Sequence, residues 1–364
     1  MFPLHRFSTA AAALAVVLLP ASVPTAPAAA AEPATASLQT AASLQTAASL
    51  QTAASLQTAA SLRTAASHAR VAAAYVLPGD RVYPEGVAAD PRTGSLYAGS
   101  FQDGTVYRTT PGRRVAEVFL PAGADGRRTA NGLKVDRAGR LWVTDSTAGV
   151  SVYDIRSRRL LARFDVPGSG ARFVNDLAIA PDGAAYLTDS ARAVVYRVTP
   201  RDLADARGGR ATLTPRFDLD GVLEPHEPGA FTLNGIVADP AGRFLLTADM
   251  HGGDLYRLDV VTGAVRKAAL RGGDMRNADG LELQHGRLWT VHNIDNAITR
   301  WRVARDGTGA RRERTLTDAK LQLPTTLVRG RGTLYVVRSQ FDKGGPLGDG
   351  TPEIPFTIAA VRGI

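Results

Sequence analysis

Six polar residues recur at the head of similar stretches of this sequence: Glu85, Asn131, Asn175, Asn234, Asp279 and Thr325, each carrying a side-chain oxygen. Two carboxylates and several amide carbonyls gathered from separate stretches are the donors a hard divalent cation takes. Ca²⁺, the leading candidate ahead of Zn²⁺, Mg²⁺ and Mn²⁺, binds oxygen at roughly 2.3 to 2.6 Å. Two acids also match the two positive charges of such an ion in a confined space. Taken singly, an Asn, Asp or Glu ahead of Gly equally well caps a tight turn or bonds the backbone at a strand entry. As a set, with the acids in non-adjacent stretches, they point to a metal site.

The stretches are repeats. EGVAADPRTGSLYAGSFQDGTVYR begins at Glu85, NGLKVDRAGRLWVTDSTAGVSVYD at Asn131, NDLAIAPDGAAYLTDSARAVVYRV at Asn175, NGIVADPAGRFLLTADMHGGDLYRL at Asn234, DGLELQHGRLWTVHNIDNAITRWRV at Asp279 and TTLVRGRGTLYVVRSQFD at Thr325. Six units of about 45 residues, the third longer than the rest, match the length of a four-stranded propeller blade. Within a unit, β-branched and aromatic residues alternate with polar ones in four short runs, for example GLKVD, RLWVTD, VSVYD and LLARFDV, which we term strands A to D. The expected fold is therefore all-β: a six-bladed β-propeller of four-stranded antiparallel blades. The last unit lacks a strand D. RVAAAYVLPG, ahead of Glu85, holds the place that RLLARFDVPG holds ahead of Asn175, so the N-terminal strand is expected to complete the last blade and close the ring.

Antiparallel alternation puts the D-to-A and B-to-C loops on one face, with the six polar residues near the axis of that face. Asp145, Asp189 and Asp249 recur at the ends of strands B and read as caps of the following hairpins.

The six units, with PEG at Pro84–Gly86, ND at Asn175–Asp176, NG at Asn234–Gly235 and DG at Asp279–Gly280, resemble the gluconolactonase (SMP-30, LRE-like) family that includes regucalcin. The resemblance spans residues 71–364. It implies that Glu85, Asn234 and Asp279 hold the metal, with Asn175 either a further ligand or a substrate contact, and that the activity is hydrolysis of a lactone or related ester. Asp279 would be the catalytic base, with Glu85 beside it mainly as a ligand. A bound cation polarises the carbonyl and acidifies water, and a free carboxylate oxygen takes the proton. Asn131 and Thr325 would line the channel, Asn131 as a substrate contact. Arg172 lies three residues before Asn175 and not two, as in the sugar-lactone members. His251 and His292, assigned to B-to-C loops, and His226, in a long D-to-A insertion GVLEPHEPGAFT taken to explain the length of the third unit, are further expected substrate contacts.

The rest of the chain narrows the setting. Residues 1–31 have a charged start, an apolar run from Ala10 to Leu19 and a small-residue end at Ala29–Ala31, the pattern of a secretory signal peptide. Residues 32–69 carry four SLQTAA repeats and one SLRTAA, a low-complexity linker or cell-wall spacer. Residues 70–364 are the propeller. With no later long apolar segment and no cysteine, the expectation is an exported, soluble protein free of disulfides, without a membrane anchor and monomeric. The net charge is +9, but its arginines are scattered through turns and not interleaved with aromatics along one face, which argues against a nucleic-acid partner. There is no G-x-S-x-G and no cysteine, so a serine or cysteine nucleophile has no support. The alternative to a hydrolase is a non-catalytic secreted propeller that binds a protein or a cell-wall polymer.

Overall fold

In the computed structural model, residues 69–206 and 208–364 are described. The expected signal peptide and the hexapeptide tract lie outside the described residues. From Arg70 onward the alternating sequence forms short strands separated by Gly, Asp and Pro turns. β1 (Arg70–Leu77) comes first. The first blade is β2 (Pro84–Ala89), β3 (Leu96–Ser100), β4 (Val106–Arg108) and β5 (Glu117–Leu120). The second is β6 (Leu133–Val135), β7 (Arg140–Asp145), β8 (Gly149–Asp154) and β9 (Leu160–Asp165). The third begins with β10 (Val174–Ile179), β11 (Ala185–Asp189) and β12 (Val194–Val198). A short helix α1 (Pro200–Ala206) and β13 (Arg210–Thr212) then intervene before its last strand, β14 (Thr214–Asp218). The fourth is β15 (Leu233–Ala238), β16 (Phe244–Asp249), β17 (Asp254–Asp259) and β18 (Val265–Lys267), followed by β19 (Ala269–Arg271). The fifth is β20 (Ala278–Gln284), β21 (Arg287–His292), β22 (Ala297–Val303) and β23 (Gly309–Thr317). The sixth is β24 (Pro324–Gly330), β25 (Thr333–Arg338) and β26 (Phe356–Arg362).

The sixth sheet runs β1-β26-β25-β24, so the N-terminal strand completes the last blade as expected from the repeat arithmetic. β1 pairs antiparallel with β26 from Arg70↔Arg362 to Leu77↔Phe356. The ring is a six-bladed propeller.

Blades cohere through apolar layers between neighbours. Trp142, Val152 and Phe164 of the second blade pack with Leu177, Leu187 and Tyr196 of the third. Leu77, Phe356 and Ile358 of the sixth pack with Val87, Leu96 and Tyr107 of the first. Six such clusters follow one another round the ring. Each sheet thus buries both faces, which a lone four-stranded sheet cannot do.

Two features differ from the sequence reading. The length of the third unit comes chiefly from its C-to-D connection, residues 199–213, which hold α1 and β13; the D-to-A segment 219–232 is the smaller contributor. β13 and β19 add to the outer edges of the second and fifth blades, pairing parallel with β9 and β23. A propeller's outer edge is where an unpaired strand is exposed, and an extra strand covers it. Among the described residues no helix is long and apolar enough to cross a membrane.

Candidate functional site

The innermost strand of every blade is its strand A, and each of the six polar residues sits at or beside the start of one: Glu85 in β2, Asn131 just before β6, Asn175 in β10, Asn234 in β15, Asp279 in β20 and Thr325 in β24. All six are buried. In five blades the register between strands A and B slips at this position, between Pro84 and Val87, Val174 and Leu177, Leu233 and Ile236, Ala278 and Leu281, and Pro324 and Leu327. Such a bulge re-aims side chains that a regular strand would send to opposite faces.

Glycine follows four of the six because neighbouring strands A nearly touch. A Cβ at Gly86 would stand 1.8 Å from the Asn131 carbonyl oxygen, and one at Gly235 would stand 2.3 Å from that of Asp279. The recurring threonine of strand B clamps the same backbones across blades. Thr144 Oγ1 donates to Asn175 O at 2.6 Å and Thr188 Oγ1 to Asn234 O at 2.8 Å. Asp145, Asp189 and Asp249 cap the following hairpins as expected, accepting from Ala148, Ala191 and Gly252 backbone N–H groups at 3.2, 3.1 and 3.0 Å.

Side-chain orientation sorts the amides. Asn175 Nδ2 donates to Ser190 Oγ at 3.0 Å and Asn234 Nδ2 reaches Met250 Sδ at 3.2 Å. Their Oδ1 atoms, like Glu85 Oε2, are buried and have no hydrogen-bond donor. Three partnerless oxygens in one buried ring are what a hard cation would satisfy. Asn131 is turned the other way: its Oδ1 accepts from Ser146 Oγ at 3.1 Å, and its Nδ2 is the buried atom without a partner. It offers a donor, suited to a substrate oxygen and unsuited to a metal. Thr325 is structural, donating to Glu85 O at 2.7 Å and paired with Ser339 Oγ at 2.6 Å.

The electrostatics depend on two residues that the sequence reading left out of the site, Asp176 and Lys134. Asp176 follows Asn175 where most blades have glycine, and Lys134 Nζ lies 3.8 Å from its Oδ1. Burial, then the charges of Asp279 and Asp176, push the Glu85 carboxyl well up. Burial likewise lifts Asp279 to about 8, against hydrogen bonding from Asn293 that works the other way. Burial raises Asp176, and Lys134 opposes it. Lys134 opposes the rise of Asp176 and of Glu85 alike, so one ammonium faces three buried carboxyls, Glu85, Asp176 and Asp279. That excess of acid over base, with the bare Asn175 and Asn234 oxygens beside it, suits a divalent ion. Among the described residues no three His, Cys, Asp or Glu side chains converge as a metal cluster, so the donor set is a mixed one of acids and amides. Glu282, three residues along from Asp279, is lifted to about 7 by burial.

The remaining expected contacts fall in different places. His226 and His251 are exposed loop residues on the same face, their rings 6.1 Å apart. His292 lies at the end of β21, not in a loop, and is buried. Its Nδ1 stands 2.7 Å from Arg276 O and its Nε2 2.9 Å from Thr299 Oγ1, so neither ring nitrogen is free for a substrate. Arg172 is off the axis, its Nη1 bonded to Gly168 O at 3.0 Å in a recess of about 340 Å³ shared with Arg128, Arg163 and Arg210. A larger recess of about 410 Å³ opens on the opposite face among A-to-B turn residues such as Asp136, Pro181 and Asp239, away from the carboxylate ring. Asn293, the partner of Asp279, follows strand B of the fifth blade, and only its loop position hinted at a role.

Comparison with known proteins bears on the family and the fold. A profile of the SMP-30/gluconolactonase/LRE-like region matches residues 83–339, the span that holds every ring residue. Over 123 residues the chain is 30% identical to a gluconolactonase of Zymomonas mobilis subsp. mobilis, a stretch covering 33% of each protein, so the match spans about a third of that relative's length. Solved structures of similar shape include the Malassezia sympodialis allergen Mala s 1, at 16% identity and a TM-score of 0.55 over 77% of this chain and 93% of that one. They also include a calcium-binding regucalcin from Agrobacterium tumefaciens, at 17% identity and a TM-score of 0.54 over 80% of this chain and 98% of that one. At these identities the likeness to solved structures is one of fold.

Proposed function

The chain belongs to the SMP-30/gluconolactonase/LRE-like family, and on that footing we propose that it is an exported, divalent-metal-dependent hydrolase of lactones or related esters. Glu85, Asn175, Asn234 and Asp279 would hold the cation, with Ca²⁺ the best match to an all-oxygen set. When bound, such an ion polarises the ester carbonyl and acidifies the attacking water.

The chain's own residues account for the proton. Asn293 donates to Asp279 Oδ2 at 2.9 Å and orients the carboxylate, which would accept a proton from water as the water oxygen bonds to the carbonyl carbon. The acyl C–O bond then breaks, and the same carboxyl returns the proton to the alkoxide. Glu85 serves mainly as a ligand, and the Asn131 N–H is suited to holding a substrate oxygen.

The observation that carries this reading is the trio of buried oxygens without donors, Glu85 Oε2, Asn175 Oδ1 and Asn234 Oδ1. The test is metal analysis of the exported protein, with hydrolysis of a lactone and aryl-ester panel before and after chelation. Near-stoichiometric metal, and activity that chelation removes and Ca²⁺ restores, is the expected result. Failure to bind metal at millimolar Ca²⁺, with Glu85→Gln and Asp279→Asn leaving stability and activity unchanged, overturns it.

A further inference from the structure

We propose that Phe101, Phe173, Phe231 and Phe341, at the loop-bearing end of the propeller axis, form an apolar seat that takes an aromatic or long-alkyl group of the ligand. The seat stands on its own geometry, and only the statement that the seated group belongs to an ester rests on the hydrolase reading above.

The four rings come from four loops of one face and meet in a chain. Phe341 lies 5.2 Å from Phe101, Phe101 stacks on Phe173 at 6.4 Å, and Phe173 lies 4.7 Å from Phe231, centroid to centroid. Phe101 follows the first blade's strand B while Phe173 leads into the third, so their contact spans the second blade and must pass near the axis. The loop backbones fix each ring over a strand entry. Phe101 N donates to Tyr83 O at 3.1 Å, two residues before Glu85. Phe173 N donates to Asp189 Oδ1 at 2.9 Å, two residues before Asn175. Thr232, next to Phe231, donates its N–H to Ser190 O at 3.0 Å, and Gln340, next to Phe341, donates its N–H to Gln322 O at 3.0 Å.

Phe341 is buried in the core between the sixth and first blades and anchors the arc, with Phe101 packed against that core. Phe101 and Phe173 are half-buried and Phe231 is 45% exposed, unlike Phe119, Phe164 and Phe356, which are wholly buried between blades. An exposed apolar patch on a folded chain marks a contact site. The arc is also interrupted. The loops over Asn131 (121–130 and 146–148) and over Asp279 (272–277 and 293–296) contain no aromatic residue. The aromatic arc therefore covers the first, third, fourth and sixth blades and stops short of Asn131 and Asp279, whose flanking loops hold no ring and expose Ile294. A ligand with an apolar arm and a polar ester fits that division, arm on the rings and ester toward Asp279. A polyhydroxylated sugar lactone does not, because hydroxyls pressed on the rings would lose water without gaining partners.

The probe is N-phenyl-1-naphthylamine, neutral and fluorescent in apolar sites, titrated into the full chain with Ca²⁺ present. Saturable one-site binding is expected. Its dissociation constant should rise at least about tenfold in the Phe173→Ala/Phe231→Ala double variant, a change of about 1.4 kcal/mol, and return toward the original in Phe231→Leu, which keeps apolar surface. The half-exposed Phe231→Ala single variant, with an unchanged melting temperature, covers the case in which the double variant misfolds. In turnover, KM for a phenyl-bearing lactone should rise at least about tenfold more than KM for γ-butyrolactone. The proposal is overturned if the chain does not bind the probe, if the variants bind it as tightly as the original chain, or if both lactones lose KM equally. Probe binding that depends on the rings in a chain that hydrolyses no ester supports the seat and removes the hydrolase reading. Small-lactone hydrolysis without probe binding does the reverse.

Discussion

Asn293 Nδ2 donates to Asp279 Oδ2 at 2.9 Å, and both side chains are buried. The bond favours the ionised carboxylate against the larger effect of burial, so a loop residue of the fifth blade helps to hold the charge and the aim of its most important acid.

Removing that donor should weaken both roles. Asn293→Leu is expected to lower cation affinity and ester turnover by about 10- to 100-fold, the range for outer-shell partners of metal ligands. Asn293→Gln should recover part of the loss. Calorimetric titration with Ca²⁺ alongside kcat/KM checks it, and a Leu variant with unaltered affinity and turnover would leave Asn293 without this role.

The carboxylate ring makes stability depend on pH in a stated direction. Without cation, Asp279 is lifted to about 8 from 3.8 and Glu282 to about 7 from 4.5, and Glu85 and Asp176 are raised as well. Each binds its proton more tightly folded than unfolded. The stability this contributes is full below the unfolded values and is lost as pH rises through the folded ones. Chelated protein should therefore melt lower at about pH 9 than at about pH 5, and Ca²⁺ should raise the melting temperature more at the higher pH. Asp279→Asn, free of the buried charge, should raise the melting temperature of the chelated protein near pH 9. A flat profile in scanning fluorimetry with chelator would contradict this.

Close contact between strands A allows no side chain at the glycines of the ring. Gly86→Ala places its Cβ 1.8 Å from Asn131 O and is expected to cost at least about 3 kcal/mol, or soluble expression altogether. Gly170→Ala, whose Cβ finds its nearest neighbour at 3.9 Å, should be close to neutral. Urea midpoints of the two variants make the comparison.

Ring closure through β1 joins the two ends of the propeller domain. Leu77 is fully buried against the first and sixth blades, and Leu77→Ala should cost about 2 to 5 kcal/mol in urea unfolding. Deleting residues up to Leu77 bares the edge of β26 and should produce self-association on size exclusion. A monomeric deletion variant of unchanged stability would show that the strand is dispensable.

Much of the fold was legible in the sequence because each blade repeats one local pattern. Strand periodicity, turn residues and spacing are encoded within each unit, and the missing last strand could be found at the other terminus by its likeness to LLARFDV. The hairpin-capping role of Asp145, Asp189 and Asp249 was legible for the same reason, since an aspartate at a strand end bonds its own next residues. The length of the third unit was assigned to the wrong loop because α1 and β13 are too short to leave a periodic signal.

The sequence by itself determined the ring, its closing strand and the kinds of residue at the head of each strand A. Tertiary structure alone decided which of these could serve a cation. Period-two reading sends Asp176 to the side opposite Asn175, whereas the β10 bulge brings it into the charge balance of Glu85 and Asp279. Lys134 stands at Asp176 from the neighbouring blade, and Asn293 reaches Asp279 from a loop. Asn131 and Asn175 each face the serine that follows strand B of their own blade, yet the former bonds through its oxygen and the latter through its nitrogen, because Ser190 Oγ already donates to Leu233 O of the next blade and can only accept from Asn175. His292, read as a loop residue, is locked within its blade by Arg276 and Thr299. Charge balance and amide orientation depend on groups brought together from other blades, and no repeat of about 45 residues contains that information.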